Sequence, residues 1–196
     1  MKNILVLGAY GFLGVPLCDF LSKRGYVVYR QGRKKSAMFT ADPTHTSDIK
    51  NLFLKIHPEV VINLNALTDV DACEREPHLA YQANVRTVEI LTQTLYKTGI
   101  HLVHLSTDQV YSGPGPHKEE DVNPCNVYGQ TKYAGELVAK EIESTQLRAN
   151  YVGRSHIPGR TAFTDWLIQS FKREIKITLF EDVLFSAVHT SVLCQV

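Results

Sequence analysis

Apolar positions along the chain follow two spacings in turn, and this alternation predicts an α/β protein. Short runs of leucine and β-branched residues are typical of buried parallel strands, and the segments between them repeat apolar residues at helical spacing. The runs predict strands at residues 3–7, 26–29, 60–64, 100–105, 146–151 and 175–180, and helices at residues 12–24, 48–56, 78–97, 127–143 and 163–171. Alternating strands and helices favour a doubly wound, Rossmann-like parallel sheet with helices on both faces.

The alternation weakens after Tyr151, which suggests that the chain has two unequal parts. A length of 196 residues suits one large domain, or one domain with part of another. We expect residues 1–152 to form a dinucleotide-binding domain. Residues 153–196 are expected to form an incomplete substrate-binding lobe, the start of a second, smaller unit.

Three glycines in the pattern Gly8-x-x-Gly11-x-x-Gly14 follow the first predicted strand directly and open the first predicted helix. Glycine allows a tight turn and a close approach of phosphates, and the free N–H groups at a helix start attract an anion. The pattern therefore predicts that a dinucleotide pyrophosphate binds near residue 8. A plain tight turn between strand and helix is the alternative.

A second group of residues combines a strand end with a helix start. Thr107 ends the strand predicted at 100–105, and Tyr128 and Lys132 are four apart at the start of a helix, so they share one face. A phenol with a pKa near 10 needs a neighbouring cation to act as an acid at neutral pH. We expect Lys132 to lower the pKa of Tyr128, and Thr107 to hydrogen-bond a substrate oxygen. The alternative is a Tyr–Lys pair on a solvated helix face.

Composition excludes several classes of partner. The chain is 44% hydrophobic and 21% charged, with a formal net charge of +1, so neither nucleic acid nor a membrane surface is expected to bind it. The opening residues run straight into a strand, so neither a signal peptide nor a membrane span is predicted. Four widely spaced cysteines indicate reduced thiols in a cytoplasmic protein without a metal site.

Four stretches together resemble one known family. They are Gly8–Gly14, Val61–Glu74, Leu105–Gly113 and Asn126–Glu136, which occur in the family's order within residues 1–152. They are similar to the extended short-chain dehydrogenase/reductases, and within these to the dTDP-4-dehydrorhamnose reductases. The resemblance implies an NAD(P)-dependent oxidoreductase of carbohydrate biosynthesis that acts on a nucleotide-sugar in dTDP-rhamnose formation.

The resemblance also implies roles for individual residues. Thr107, Tyr128 and Lys132 match the family's catalytic triad, and the last two would also contact the cofactor. Asp108, Gln109 and Tyr151 would face the sugar. The further residues implied to bind the cofactor are Gly8, Tyr10, Gly11, Phe12, Leu13, Gly14, Asp42, Asn65, Ala66 and Leu67.

The basic segment that follows the second predicted strand favours NADPH, although NADH stays open. NAD-preferring folds place a carboxylate about 20 residues past the glycine turn. Residues 30–35 carry no carboxylate, and the cations Arg33 and Lys34 suit a 2′-phosphate. An ordinary basic surface turn is the alternative.

These observations predict NADPH-dependent reduction of the 4-keto group of a nucleotide-activated deoxysugar. Two other functions stay open. One is an NAD-dependent nucleotide-sugar epimerase or dehydratase, and the other is a non-catalytic, nucleotide-binding regulatory subunit. A homodimer is an open option for the oligomeric state.

Overall fold

The computed structural model describes residues 2–181 and 186–196, and within them six parallel strands form the main sheet. The strand order is β3-β2-β1-β4-β5-β6, so the direction of winding reverses between β1 and β4, where dinucleotide-binding folds hold their ligands. These strands are β1 (Asn3–Leu7), β2 (Val27–Gly32), β3 (Phe39–Thr40), β4 (Val60–Asn63), β5 (His101–Ser106) and β6 (Ser144–Arg148). The predicted Rossmann-like α/β fold is confirmed.

Helices cover the sheet, and two further strands lie outside it. The helices are α1 (Gly14–Lys23), α2 (Thr46–Ile56), α3 (Val70–Arg75), α4 (Pro77–Tyr81), α5 (Thr87–Leu95), α6 (Val127–Ala139), α7 (Phe163–Lys172) and α8 (Thr190–Leu193). Strands β7 (Asn150–Val152) and β8 (Ala187–His189) pair in parallel as a separate small sheet.

Strand β1 lies at the centre of the sheet and contributes to a core on each face. Leu5 and Leu7 are fully buried in the larger core, together with side chains of α2 and α5. Ile4 and Val6 point to the opposite face and pack with Cys18 of α1. Because both faces are covered, the strand is a continuous apolar run rather than an alternating one.

The turn from β1 into α1 depends on backbone that only glycine supplies. Gly8 has a φ of +77°, a conformation that side chains with a Cβ rarely adopt. A Cβ on Gly14 would overlap the carbonyl oxygen of Gly8 and lie 2.6 Å from the carbonyl carbon of Ala9. The first turn of α1 therefore lies directly against the end of β1.

The helix predicted at 78–97 is interrupted by one π-helical turn. Residues Gln82–Arg86 form this turn between α4 and α5, and the helix ends at Leu95. The unpredicted α3 precedes it, with the Asp69 side chain capping the start of α3. Hydrophobic spacing detects the helix but not the one extra residue of a π turn, which is often found at functional sites.

The prediction of a strand at 175–180 is wrong, because these residues are not in a strand and β8 pairs with β7 instead. A run of apolar residues becomes a strand only where a neighbouring backbone supplies hydrogen bonds, and here Leu179 and Phe180 are exposed. The single strand predicted at 146–151 is divided between β6 and β7, and the helix predicted at 127–143 ends at Ala139. Residues 182–185 of the predicted lobe at 153–196 lie outside the described residues.

Two further findings concern membrane-spanning helices and the cysteine thiols. Across residues 2–181 and 186–196, no helix is long and apolar enough to cross a membrane. The thiols of Cys18, Cys73, Cys125 and Cys194 are all free.

Replacing Gly14 by Ala is expected to destabilise the fold, because the added methyl group overlaps the backbone of β1's turn. We expect the free energy of unfolding to fall by about 1–3 kcal/mol in urea titrations followed by circular dichroism. Gly115→Ala is the matched control, since a Cβ there lies no closer than 3.5 Å to His117. If Gly14→Ala and Gly115→Ala were equally stable, the close contact between Gly14 and the backbone of Gly8 and Ala9 would be contradicted.

Candidate active site

A cavity of about 360 Å³ lies at the carboxyl end of β5 and brings together residues from both parts of the chain. Phe12 of the glycine turn, Thr107 after β5 and Tyr128 of α6 all line it. The remaining lining residues are Thr68, Asp108, Gln109, Ala149, Asn150, Tyr151, Val152, Gly153, Ser155, Arg160, Thr161, Ala162, Phe163 and Thr164. Most of the residues predicted for catalysis and for sugar binding thus share one cavity.

Tyr128 is held in the first turn of α6 with its side chain 8% exposed. The helix begins here because the side chain of Asn126 accepts a hydrogen bond from the N–H of Gly129 at 2.7 Å. Burial raises the pKa of Tyr128 to about 12, although the neighbouring Thr107 hydroxyl opposes this shift. The phenol therefore carries its proton at neutral pH.

Lys132 lies one turn further along α6 and is buried. Its Nζ donates a hydrogen bond of 2.6 Å to the carbonyl oxygen of Leu105. Burial lowers the pKa of Lys132 to about 8, while the charge of Glu136 opposes this shift. Because Tyr128 and Lys132 are both buried, the alternative of a solvated pair is excluded.

The structure does not show the expected lowering of the Tyr128 pKa by Lys132. We expect Lys132 to lower the pKa of Tyr128, but the pKa is raised, because removal of the phenol from water outweighs the opposing hydrogen bond with Thr107, and Lys132 is not among the groups that shift it.

Thr107 is positioned by the turn that follows β5. The residue is 4% exposed, and its hydroxyl oxygen accepts a hydrogen bond of 3.2 Å from the N–H of Gln109. This bond caps a short 3₁₀ turn, Asp108–Val110. The turn holds the hydroxyl at the carboxyl edge of the sheet, where it lines the cavity beside Tyr128.

Gln31 holds the glycine turn in place and was not identified from the sequence. The side chain is fully buried at the end of β2. Its Oε1 accepts a 3.0 Å hydrogen bond from the N–H of Gly8, and its Nε2 donates one of 2.6 Å to the carbonyl oxygen of Ala41. An amide inside a strand has no distinctive sequence signal, because its partners lie on two other segments.

The other predicted cofactor residues of the first βαβ unit lie around this turn. The N–H groups of Phe12 and Leu13 have no hydrogen-bond acceptor among the described residues. Tyr10 is 42% exposed, and its phenolic oxygen accepts a 2.8 Å hydrogen bond from the N–H of Met38. Arg33 and Lys34 are exposed on the loop between β2 and β3.

Asp42 follows β3, and its carboxylate is used locally. Its Oδ1 accepts hydrogen bonds from the N–H and the hydroxyl of Thr44, at 2.9 and 2.7 Å. Burial opposes the ionised form, but these bonds together with the charges of His45 and Arg33 lower the pKa of Asp42. The carboxylate is thus ionised at neutral pH.

Asn65, Ala66 and Leu67 follow β4 and lie beside the glycine turn. The amide nitrogen Nδ2 of Asn65 is buried and has no hydrogen-bond partner within the described part of the chain. The Oδ1 of the same side chain would lie 3.2 Å from a Cβ on Gly8. A buried donor without a partner is costly, so this N–H group is available to a ligand that reaches it.

Asn84, in the π turn between α4 and α5, fixes the loop after β4 and was also missed from the sequence. Its Oδ1 accepts from the N–H of Leu67 at 2.8 Å, and its Nδ2 donates to the carbonyl oxygen of Leu67 at 3.1 Å. The Nδ2 also lies 3.0 Å from the hydroxyl of Thr131 in α6. One buried amide therefore joins the predicted cofactor loop to the helix that carries Tyr128.

The three residues predicted to face the sugar all line the cavity, but each also has a protein partner. The carboxylate of Asp108 accepts a 3.1 Å hydrogen bond from Nδ2 of Asn150. The Oε1 of Gln109 accepts one of 2.9 Å from Nδ2 of Asn126, the cap of α6. The ring of Tyr151 stacks on Phe12 with centroids 6.0 Å apart.

A family model described as the RmlD substrate binding domain matches residues 1–183. The chain belongs to this family. The predicted resemblance to the dTDP-4-dehydrorhamnose reductases is thereby confirmed.

Curated relatives of the chain include a polysaccharide biosynthesis protein and several dTDP-4-dehydrorhamnose reductases. The spore coat polysaccharide biosynthesis protein SpsK of Bacillus subtilis is 30% identical over 200 residues, which cover 100% of the chain and 68% of SpsK. The dTDP-4-dehydrorhamnose reductase of Salmonella typhimurium is 37% identical over 142 residues, which cover 71% of the chain and 47% of the reductase. The chain thus spans about half the length of the curated reductase it matches.

Solved structures show the same architecture. A dTDP-4-dehydrorhamnose reductase of Bacillus anthracis in complex with NADP superimposes with a TM-score of 0.88 at 29% identity, covering 100% of the chain and 69% of that structure. A UDP-glucose 4-epimerase of Thermotoga maritima with UDP-glucose gives a TM-score of 0.84 at 24% identity, covering 98% of the chain and 71% of that structure. The second likeness shows the fold alone.

Replacing Asn84 by Ala is expected to release the loop after β4, because the N–H and carbonyl groups of Leu67 both lose their partner. We expect the Leu67 amide to exchange its hydrogen faster, with a loss of about 1–3 kcal/mol of protection for the unpaired group. Hydrogen exchange followed by NMR measures the protection of the Leu67 amide. Asn84→Asp is the matched variant, since it keeps the acceptor for the Leu67 N–H, and there the amide should stay protected. Equal exchange in the wild type and the Ala variant would contradict the role of Asn84.

Proposed function

We propose that this chain catalyses the NADPH-dependent reduction of the 4-keto group of a nucleotide-activated deoxysugar, as part of an NAD(P)-dependent oxidoreductase of the short-chain dehydrogenase/reductase type. The observation that carries the proposal is the shared cavity, in which a protonated phenol, Tyr128, and a strand-end hydroxyl, Thr107, meet the glycine-turn residue Phe12. Membership of a family whose members include dTDP-4-dehydrorhamnose reductases supports it.

The residues around the glycine turn fit a dinucleotide. The free N–H groups of Phe12 and Leu13 and the partnerless amide of Asn65 would bind pyrophosphate or ribose oxygens. The side chains of Arg33 and Lys34 would pair with a 2′-phosphate, which favours NADPH over NADH. The Bacillus anthracis neighbour binds NADP, which supports this choice.

The bound NADPH would supply the hydride that is added to the keto carbon. As negative charge develops on the substrate oxygen, Tyr128 donates its phenolic proton to it. The Thr107 hydroxyl hydrogen-bonds the same oxygen and orients it. Lys132, buried one turn further along α6, would offer its positive charge to the phenolate that forms in this step, although in the free protein the pKa of Tyr128 is raised by burial and Lys132 does not lower it.

The sugar would occupy the part of the cavity lined by Asp108, Gln109 and Tyr151. Arg160, an exposed cation on the same cavity, is complementary to a nucleoside diphosphate. In this proposal residues 1–152 bind the cofactor, and residues 153–196 contribute to the substrate lobe. The homodimer and the cytoplasmic location stay predictions from the sequence.

Replacing Tyr128 by Phe is expected to lower kcat by a factor of roughly 10²–10⁴, because the proton donor is lost while the ring still fills its place. The measurement is NADPH oxidation, followed at 340 nm, by the purified chain with dTDP-4-dehydrorhamnose. Because Tyr128 is 8% exposed and its ring is retained, binding of NADPH should change little.

Three outcomes separate the possible functions. Unchanged turnover in the Phe variant would refute the role of Tyr128. Binding of NADPH without turnover by the wild-type chain would favour the regulatory subunit. A tightly held NAD that does not exchange during turnover would favour the epimerase or dehydratase.

Replacing Lys34 or Arg33 by Ala is expected to weaken the binding of NADPH about tenfold while leaving NADH unchanged, because only NADPH carries the 2′-phosphate. Fluorescence titration of the reduced nicotinamide measures both constants. Lys55→Ala, in the last turn of α2, is the matched control for loss of an exposed cation. Equal losses for both cofactors would overturn the assignment of these cations.

A further inference from the structure

The buried carboxylate of Glu136 lies one helical turn beyond Lys132 and has no part in the mechanism above. Glu136 is 1% exposed and Lys132 is 2% exposed. At a spacing of four residues the two side chains are neighbours on the same face of α6. A carboxylate is rarely buried this deeply unless it is paired, so its partners explain its presence.

The two side chains attach α6 to consecutive residues of β5. The Nζ of Lys132 donates to the carbonyl oxygen of Leu105 at 2.6 Å, and the hydroxyl of Ser106 donates to Oε1 of Glu136 at 2.5 Å. The next residue in the chain is Thr107. The pair therefore sets the position of Thr107 relative to the helix that carries Tyr128.

Glu136 is fixed from its other side by Arg148 of β6. The guanidinium donates to Oε2 at 2.7 Å through Nη2, and through Nε to both carboxylate oxygens at 3.0 and 3.1 Å. Arg148 also donates to the Tyr111 hydroxyl at 2.8 Å and to the carbonyl oxygen of Glu119. The carboxylate is thus fully hydrogen-bonded and held in one orientation.

Gly135 allows helix α6 to lie close against the π turn that contains Asn84. A Cβ there would lie 2.6 Å from the carbonyl oxygen of Asn84, and 3.4 Å from Nε2 of His104. Lys132, Glu136 and His104 are all buried at this level, so charge interactions among them are weakly screened.

We propose that Glu136 is a positioning residue for the reaction: held by Ser106 and paired with Arg148 one turn along the same face of α6, its carboxylate supplies the negative charge near Lys132 that keeps the ammonium charged where it bonds the carbonyl of Leu105. This inference rests on the proposed function, because it assigns Lys132 a charge that the proton transfer uses. Without a counter-charge, an ammonium in a dry site loses its proton more readily.

Glu136 is the charged group that raises the pKa of Lys132 against the effect of burial. His104 of β5 stays neutral, since burial and then the charge of Lys132 hold its pKa well below the usual range. The remaining titratable groups on the elements that pack against α6 are Asp71, Cys73, Glu74, Arg75, His78, Tyr81, Arg86, Glu89, His101, Asp108 and Arg148, with Tyr128 and Tyr133 on α6 itself. Arg86 pairs with Glu89, and Glu74 accepts from the N–H of Val127.

The experiment is an NMR titration of the chain labelled with ¹³C at the lysine Cε, without cofactor or substrate. The Lys132 resonance is assigned by its loss in Lys132→Met. We expect a midpoint near pH 8 in the wild type, and a midpoint about one pH unit lower in Glu136→Gln, because the counter-charge is lost. Ser106→Ala is the matched control: it removes a hydrogen bond from the carboxylate but leaves its charge, so the midpoint should not move.

Arg148 loses its ionic partner in Glu136→Gln, so the double variant Glu136→Gln with Arg148→Gln provides a neutral pair for the case in which the single variant does not fold. Its midpoint should fall by less than in the single variant, because the Arg148 cation is removed together with the carboxylate. A wild-type midpoint retained in either folded variant would overturn the proposal.

Turnover gives the second readout. The alkaline limb of the pH profile of kcat/KM, where the ammonium loses its proton, should move to lower pH by the same amount in Glu136→Gln. A merely structural role would lower kcat at every pH and leave the limb in place. Because the titration needs no turnover, an inactive wild-type chain would count against the proposed function alone, whereas an unmoved Lys132 midpoint would count against Glu136.

Discussion

The docking of α6 on the carboxyl end of β5 is the interaction on which the whole site depends. Tyr128 and Lys132 project from that helix, and Thr107 continues from that strand. The three side chains can act on one substrate only if α6 and β5, which are separate in the sequence, lie at the right distance from each other. Buried hydrogen bonds from Lys132 to Leu105 and from Ser106 to Glu136 fix that distance, and Gly135 lets the same helix lie against the π turn.

The same requirement explains why so many polar side chains are buried around the site. Gln31 secures the glycine turn, and Asn84 secures the loop after β4. Each saturates backbone groups that would otherwise be buried without partners, which costs more than the hydrogen bond itself contributes. The site is therefore held in place by buried side chains that hydrogen-bond to the backbone. Two buried nitrogens near the site, Nδ2 of Asn65 and Nε2 of His104, have no partner in the described residues.

The phenol of Tyr128 and the ammonium of Lys132 are both buried, and burial acts on each of them separately. Burial raises the pKa of Tyr128 and lowers the pKa of Lys132, so each is pushed towards its neutral form. For the phenol this keeps the proton needed for donation. For the lysine it opposes the charge needed to stabilise the phenolate, and a neighbouring carboxylate offsets that effect. A lysine on a solvated face would need no such neighbour, which is why the sequence pattern alone gives Glu136 no role.

The amino-acid sequence by itself determined the fold class, the glycine turn and the Thr–Tyr–Lys set. These depend on local signals: apolar runs, glycine spacing and a four-residue interval on a helix. Only the tertiary structure decided which side chains hold the site, because Gln31, Asn84, Glu136 and Arg148 find partners on segments far away along the chain. It also decided that residues 187–189, rather than 175–180, pair with β7, since a strand exists only where another backbone supplies its hydrogen bonds.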